Sequence, residues 1–265
     1  MLLWVSLSVW ADKPDLMLLK SYQGASVKGW VMSEKFDGVR AYWNGHQLIS
    51  RGGRVLAAPE AFTRGFPDFE LDGELWLRRG EFQATQSIVM RQRPHADWYQ
   101  LTYQVFEVPH QSGGLLERLA VLETYLQTRP LAHLKVIQQT LIQNDAQVQE
   151  ALALVLQRGG EGLVLRNPNT PYQTGRLSTA LKVKPKHDDE CEVVGYRAGK
   201  GQFEGLVGAL ECQWRGHVFG LGSGLNHAQR KNPPKLGAQV TFEYQGLTKQ
   251  GKPRHPVFLR ERLLD

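Results

Sequence analysis

Cysteine is almost missing from this chain: its 265 residues include two, Cys191 and Cys212. That excludes a small disulfide-dense scaffold. With His187 and His217 they still lack the close ligand pairs of a zinc site. Long apolar runs are missing as well. The uncharged segment 1–11 is too short to cross a bilayer. No Gly-x-x-x-x-Gly-Lys-Ser/Thr loop occurs, and Gly199-Lys200-Gly201 does not complete a dinucleotide fingerprint. Gly222-Ser223-Gly224 lacks the spacing of a nucleophile elbow. Internal repeats and low-complexity segments are absent too, which excludes solenoids and tails.

What remains has the composition of a folded enzyme or binding protein. Hydrophobic residues make up 42% and charged residues 22%, globular values that argue against wholesale disorder. The formal net charge is +6, a mild excess that suits a polyanionic partner without requiring one. Residues 186–265 hold 12 Lys and Arg against 9 Asp and Glu, so the excess is denser at the C-terminal end. At the other end, Val9-Trp10-Ala11 fits a signal-peptidase site, with the mature chain starting near Asp12. A basic segment ahead of it is missing, so the true start falls upstream of Met1 if this is a signal. Export to the periplasm is the expectation. The other reading is an N-terminal strand of a cytoplasmic protein.

Periodicity divides the chain. Segments 29–35, 39–43, 47–50, 69–77, 101–108, 134–138, 162–166 and 181–184 read as strands, and Asn44-Gly45 marks a tight hairpin. Segments 82–91, 115–127 and 145–157 read as helices, the last entered from Asn144 as a cap. After Pro185 the chain turns to short strands broken by glycines, with no helix. Lys184-Pro185-Lys186-His187-Asp188-Asp189 is a hinge-like boundary. The expectation is an α+β domain over 12–185, followed by an all-β module over 186–265 of the size of a small five-stranded barrel. In that module, folding strands 191–197 and 206–214 about their midpoint sets Cys191 opposite Cys212. A disulfide there would add about 3 kcal/mol by the chain-entropy model. Two buried thiols are the alternative.

The most informative stretch is Glu34-Lys35-Phe36-Asp37-Gly38-Val39-Arg40. A surface lysine is a solvated ammonium, whereas a lysine in a pocket sheds its proton and becomes a nucleophile. Five further motifs follow in order: Ser50-Arg51-Gly52-Gly53-Arg54, Glu70-Leu71-Asp72-Gly73-Glu74-Leu75, Tyr103-Gln104-Val105-Phe106-Glu107, Glu161-Gly162-Leu163-Val164-Leu165-Arg166 and Leu181-Lys182-Val183-Lys184-Pro185. Each alone has a dull explanation: Asp-Gly pairs make turns, and Lys-x-Lys is the wet face of an edge strand.

Taken in this order, the six resemble the covalent nucleotidyltransferases: ATP-dependent DNA ligases, RNA ligases and capping guanylyltransferases. The resemblance runs from Trp30 to Arg262 and is nearest to the minimal bacterial ATP-dependent DNA ligases that carry a secretion signal. It implies a nucleotidyltransferase (adenylation) domain of antiparallel sheets with flanking helices, then an OB-fold barrel. It implies that Lys35 attacks the α-phosphate of ATP and carries AMP. Glu34, Arg40, Arg51, Glu74, Phe106, Lys182 and Lys184 would surround the nucleotide, with Phe106 stacked on adenine and the two lysines on the α-phosphate. Glu74 and Glu161 would hold Mg²⁺ or Mn²⁺; Glu74 alternatively holds the ribose. Nicked double-stranded DNA would be the partner of a monomer, gripped by Arg40, Arg54, Lys200, Lys249, Lys252 and Arg254 through phosphate contacts that carry no sequence information. No membrane or protein partner is implied.

The C-terminus departs from that pattern. Larger relatives end in an Arg-x-Asp-Lys-like motif that orients pyrophosphate, where this chain has Arg260, Glu261, Arg262 and then Leu263-Leu264-Asp265. Arg260 and Arg262 are the candidates for that work. The competing readings are an RNA ligase, a guanylyltransferase, or a non-catalytic OB-type DNA-binding protein that needs no Lys35.

Overall fold

Side-chain alternation builds the first unit. Val39, Ala41 and Trp43 turn into an apolar core, and Arg40 and Tyr42 turn to the opposite face, which is the two-residue period of a strand. The computed structural model describes residues 12–185, 187–248 and 250–262; the expected signal segment 1–11 and Lys249 lie outside them. The chain divides into two compact units, one ending at Val183 and the next beginning at Lys184.

The first unit runs β1 (Met17–Ser21), β2 (Val31–Glu34), β3 (Val39–Trp43), β4 (Leu48–Ser50), α1 (Glu60–Thr63), β5 (Leu71–Trp76) and α2 (Phe82–Val89). It continues through β6 (Thr102–Glu107), α3 (Leu115–Thr128), β7 (Leu134–Val136), β8 (Thr140–Leu141), α4 (Ala146–Gln157), β9 (Leu163–Arg166) and β10 (Gly175–Val183). Two five-stranded sheets result, ordered β1-β10-β9-β2-β8 and β4-β3-β5-β6-β7. Both are mixed rather than purely antiparallel, because each carries one parallel edge strand: β1 on β10, and β7 on β6. β7 is parallel because α3 supplies the crossover such a pairing requires.

Each sheet has its own core. Leu71, Leu75, Tyr103 and Val105 pack with Phe62, Val89, Leu115, Leu119 and Leu122 from α1, α2 and α3. Met32, Leu163, Leu165 and Val183 pack with Val148 and Leu152 of α4. A fully buried leucine such as Leu122 contributes about 2 kcal/mol relative to exposure. Helix α4 starts one residue later than expected, after Asp145, though Asn144 Oδ1 still accepts the Gln147 amide at 3.2 Å.

The second unit holds β11 (His187–Ala198), β12 (Val207–Trp214), β13 (His217–Leu221), α5 (His227–Lys231), β14 (Gln239–Tyr244) and β15 (Val257–Glu261), with sheet order β13-β12-β11-β14-β15. The expected barrel is not closed. Its outer strands share one isolated parallel bridge, Ser223 with Val257, because Ser223 lies beyond the end of β13 between two glycines that do not extend a strand. Helix α5 is an addition to the sequence reading. Five residues are too few for a period, and its signal is the cap, in which Asn226 and Gln229 bond each other's backbone amides.

Of the two readings of the cysteines, the structure has the second: Cys191 and Cys212 are free thiols buried in one core. The hairpin is centred one residue later than the glycines suggest, with Ala198 opposite Val207 beside the loop, and this carries the register two residues along, pairing Cys212 with Val193 instead of Cys191. A hydrogen bond with Cys212, reinforced by burial, pushes the Cys191 thiol well above its ordinary range.

Candidate active site

The two sheets of the first unit turn polar faces to one side. On β3, β5 and β6 the residues opposite the core are Arg40, Tyr42, Asp72, Glu74, Gln104 and Phe106, aligned by the pairings of Arg40 with Glu74 and Glu74 with Gln104. On the other sheet, Ser33, Val164 and Lys182 form one cross-strand row on the face away from the core. Lys35 lies two residues beyond Ser33 and so continues that face past the end of β2. Arg166 of β9 ties the sheets together by donating to the Phe106 carbonyl of β6 at 3.0 Å.

Lys35 begins the loop by which the chain leaves one sheet for the other. Its backbone amide bonds the Gly162 carbonyl at 2.9 Å, and its Nζ lies 2.6 Å from Glu161 Oε2. Both side chains are partly buried, at 24% and 18% exposure, so the pair is shielded yet reachable by a ligand. Glu74 stands across the cleft on β5, its Oε1 accepting the Gly38 amide at 3.3 Å. Burial pushes its carboxyl up to about 8, against the opposing pull of Lys35 and Arg40. A carboxylate so placed gains most from a cation. Glu74 and Glu161 are hard oxygen donors of the kind Mg²⁺ or Mn²⁺ takes. Among the described residues no cluster of three His, Cys, Asp or Glu stands ready for a metal. An ion that Glu74 and Glu161 hold would therefore complete its shell with phosphate oxygens and water.

Neither Asp-Gly pair on this surface is an ordinary turn. Gly73 lies inside β5, where a Cβ would come within 2.6 Å of the Gln104 carbonyl oxygen. A Cβ on Gly38 would overlap the Leu75 carbonyl oxygen and crowd the Glu74 side chain. The glycines are there for close backbone approach. We expect Gly38→Ala to displace the loop and Glu74 together, lowering stability by about 1–3 kcal/mol in urea titration.

Arg40 is held in place. Its Nε and Nη2 grip Asp72 at 2.9 and 2.5 Å, and its Nη1 donates to the Met17 carbonyl at 2.8 Å. The guanidinium lies over the Phe106 ring, 5.3 Å from its centroid. Phe106 is half-buried rather than a core phenylalanine, which leaves ring surface for a flat ligand. Asp72 is fully buried, and burial pushes its carboxyl up despite Arg40. Behind it, Glu107 is buried between two guanidinia. Arg118 reaches it at 2.7 and 2.9 Å, and Arg166 makes a very short bond to the same group. Burial pushes Glu107 up, but the two arginines outweigh it and hold the carboxyl below its ordinary range.

Lys35, Glu161, Glu74, Arg40, Phe106 and Lys182 thus share the cleft surfaces. Glu34 turns aside to a two-point ion pair with Arg79. Arg51 is exposed in the turn after β4, and Arg54 donates to the Met90 carbonyl at 2.9 Å, tying that turn to the end of α2. Lys184 lies just past β10, in the second unit. Within that unit Lys200, Lys252 and Arg254 are exposed, the last two on either side of Pro253 on one arm of a hairpin bridged by Leu247 and Pro253. Arg260 is exposed on β15, and Arg262 bonds Glu190 at 2.5 Å. Asp72, Glu107, Arg118 and Arg79 received no role in the sequence reading. Asp72 and Glu107 sat inside quoted motifs, whereas nothing local marks the two arginines.

The comparisons agree with this geometry. The ATP dependent DNA ligase domain matches residues 18–184, and the DNA ligase OB-like domain matches residues 198–262. A DNA ligase of Haemophilus influenzae is 43% identical over 248 residues, covering 94% of this chain and 92% of its own. The solved structure of a Lig E DNA ligase, described as binding DNA with a minimal scaffold, superposes with a TM-score of 0.77 at 36% identity, over 94% of this chain and 99% of that one. Chlorella virus DNA ligase-adenylate shares the fold, with a TM-score of 0.57 at 23% identity over 96% of this chain and 99% of that one. A lysine-centred cleft on a two-sheet unit followed by an open OB-type sheet defines a nucleotidyltransferase. This chain belongs to the ATP-dependent DNA ligases.

Proposed function

We propose that this ligase seals 5′-phosphate/3′-OH nicks in duplex DNA, with Lys35 as the carrier of AMP. The observation behind the reading is the placement of Lys35 Nζ, 2.6 Å from Glu161 and facing Glu74 across the cleft. In the first step Nζ, having given up its proton, attacks the α-phosphorus of ATP; a P–N bond forms, the bond to the β-phosphate oxygen breaks, and pyrophosphate leaves. In the second, an oxygen of the DNA 5′-phosphate attacks the same phosphorus and the Lys35 amine departs with a proton. In the third, the 3′-OH attacks the 5′-phosphorus, and AMP is released as the strand closes. Throughout, Arg40 and Lys182 offer fixed positive charge to the phosphates, and Phe106 offers a ring face to the base. A divalent ion bound through Glu74 and Glu161 would neutralise charge developing on the phosphate oxygens.

The same reading makes the exposed Lys200, Lys252 and Arg254 contacts to DNA phosphates, and the protein a monomer. It places the work outside the cytoplasm on the strength of the segment ending Val9-Trp10-Ala11. Among the described residues no helix is long and apolar enough to cross a membrane. The test is intact mass after incubation with ATP and a divalent ion, followed by nicked DNA and nicked RNA in parallel. The protein gains one AMP and seals the DNA nick faster. Affinity for the divalent ion weakens as pH falls through about 8, because protonated Glu74 is no longer a ligand. A protein that never gains AMP is not acting through Lys35, and faster sealing of RNA reverses the choice of substrate.

A further inference from the structure

The two neighbours of Lys35 are both fastened to the same place, the end of β5 and the turn beyond it. Glu34 accepts bonds from Arg79 Nε and Nη2 at 2.8 and 2.6 Å, a planar two-point grip that fixes orientation as well as distance. Phe36 meets Trp76 edge to face, with ring centroids 4.9 Å apart and planes at 83°. β2, which ends at Glu34, belongs to one sheet, and β5, which ends at Trp76, belongs to the other. Lys35 is therefore the middle residue of a segment stapled on both sides across the gap between the sheets. Glu161 pairs with Lys35 from beside one sheet, and Glu74 projects from the other. Their spacing around the nucleophile depends on how the sheets are held.

We propose that Arg79 is a positioning residue for the first chemical step, acting through Glu34 to set Lys35 relative to Glu74, with the Phe36–Trp76 contact as the second arm of the same bracket. The Nε–Nη2 edge of Arg79 is engaged with Glu34, the contact through which it would act. Strand alternation turns the Glu34 and Lys35 side chains to opposite faces, so the effect passes through the backbone of residues 34–36. An exposed arginine with one ion pair adds little to stability. Misplacing a nucleophile by a fraction of a bond length is far more costly to rate than to folding.

This inference rests on Lys35 being the AMP acceptor, and the experiment separates the two. Wild-type protein, Arg79→Ala, Arg79→Gln and Arg79→Lys are compared for AMP capture by intact mass over a range of ATP concentrations, alongside unfolding midpoints. The expected result is a fall of roughly tenfold to a hundredfold in the maximal rate of AMP capture for R79A and R79Q. The ATP concentration at half-maximal rate stays within about twofold, the unfolding midpoints are unchanged, and R79K recovers part of the rate. If wild-type protein captures no AMP, the Lys35 reading fails. If wild-type captures AMP and the Arg79 variants match it, the positioning role fails. A rise in half-saturating ATP in proportion to the rate loss makes Arg79 a nucleotide contact instead, and absence of recovery in R79K overturns the ion-pair mechanism.

Discussion

Lys35→Ala will fold, bind DNA and capture no AMP. Lys35 contributes one partly buried ion pair to Glu161, and its removal leaves a carboxylate at the cleft with access to solvent and cations. The cost in stability is therefore small, in line with exposed pairs worth about 0–1 kcal/mol. The cost in chemistry is nearly total. Covalent transfer through the lysine amine has no substitute on this surface: Lys182 shares the face but lies one strand pairing beyond Val164, two strands from β2. Overall sealing with ATP should fall by on the order of 10⁴-fold or more, the scale on which an essential nucleophile is lost. A nick supplied with AMP already on its 5′-phosphate bypasses the missing step and should still close. Intact mass for the first step and gel assays on the two nicks for the rest measure this. If the variant still gained AMP, the acceptor would be another residue.

Arg118→Ala should be the most damaging substitution away from the cleft. Arg118 is fully buried on α3 and satisfies both oxygens of the equally buried Glu107, while donating to the Gly113 and Thr170 carbonyls at 2.7 and 3.0 Å. Removing it leaves the buried Glu107 with Arg166 and the Val108 amide and takes a donor from two carbonyls, so a loss of about 3–5 kcal/mol is expected. Urea titration measures it. The pH dependence gives an independent check. The folded-state pKa of Glu107 is depressed below the ordinary value of 4.5, so its contribution is fully present above that pH and disappears as pH falls through the folded-state value. Wild type should therefore lose stability on acidification below about 4.5, and Arg118→Ala should lose less over the same range. An equal acid limb in both would show that Arg118 does not set the charge of Glu107.

Periodicity made most of the strands and all three long helices legible in the sequence, because each buries one face against a core and the burial writes its spacing into the chain. Lys35, Glu74 and Glu161 were legible for another reason, since motifs crowd chemically unlike residues into short stretches. What escaped has physical causes. Strand β1 is an edge strand whose partner, β10, lies at the far end of the unit's sequence. The cysteine register failed because the loop turns one residue later than its glycines suggest, and a one-residue change in the centre of a hairpin moves every pairing by two. Gly38 and Gly73 looked like turn residues, yet the neighbours that exclude a Cβ come from other strands. Arg118 and Arg166 reach Glu107 from α3 and β9, so their pairing exists only once the chain is folded.

The first unit is two hydrophobic cores with a charged seam between them. Arg166, Arg40 and the Glu34–Arg79 pair tie that seam at separate points, and between them water screens the charges that face each other. Under the proposed reaction, a triphosphate lodged there would touch both walls at once and add its own charge to those ties. The substrate of the reaction would then also serve as a structural element, and each turnover would begin by completing the fold that performs it.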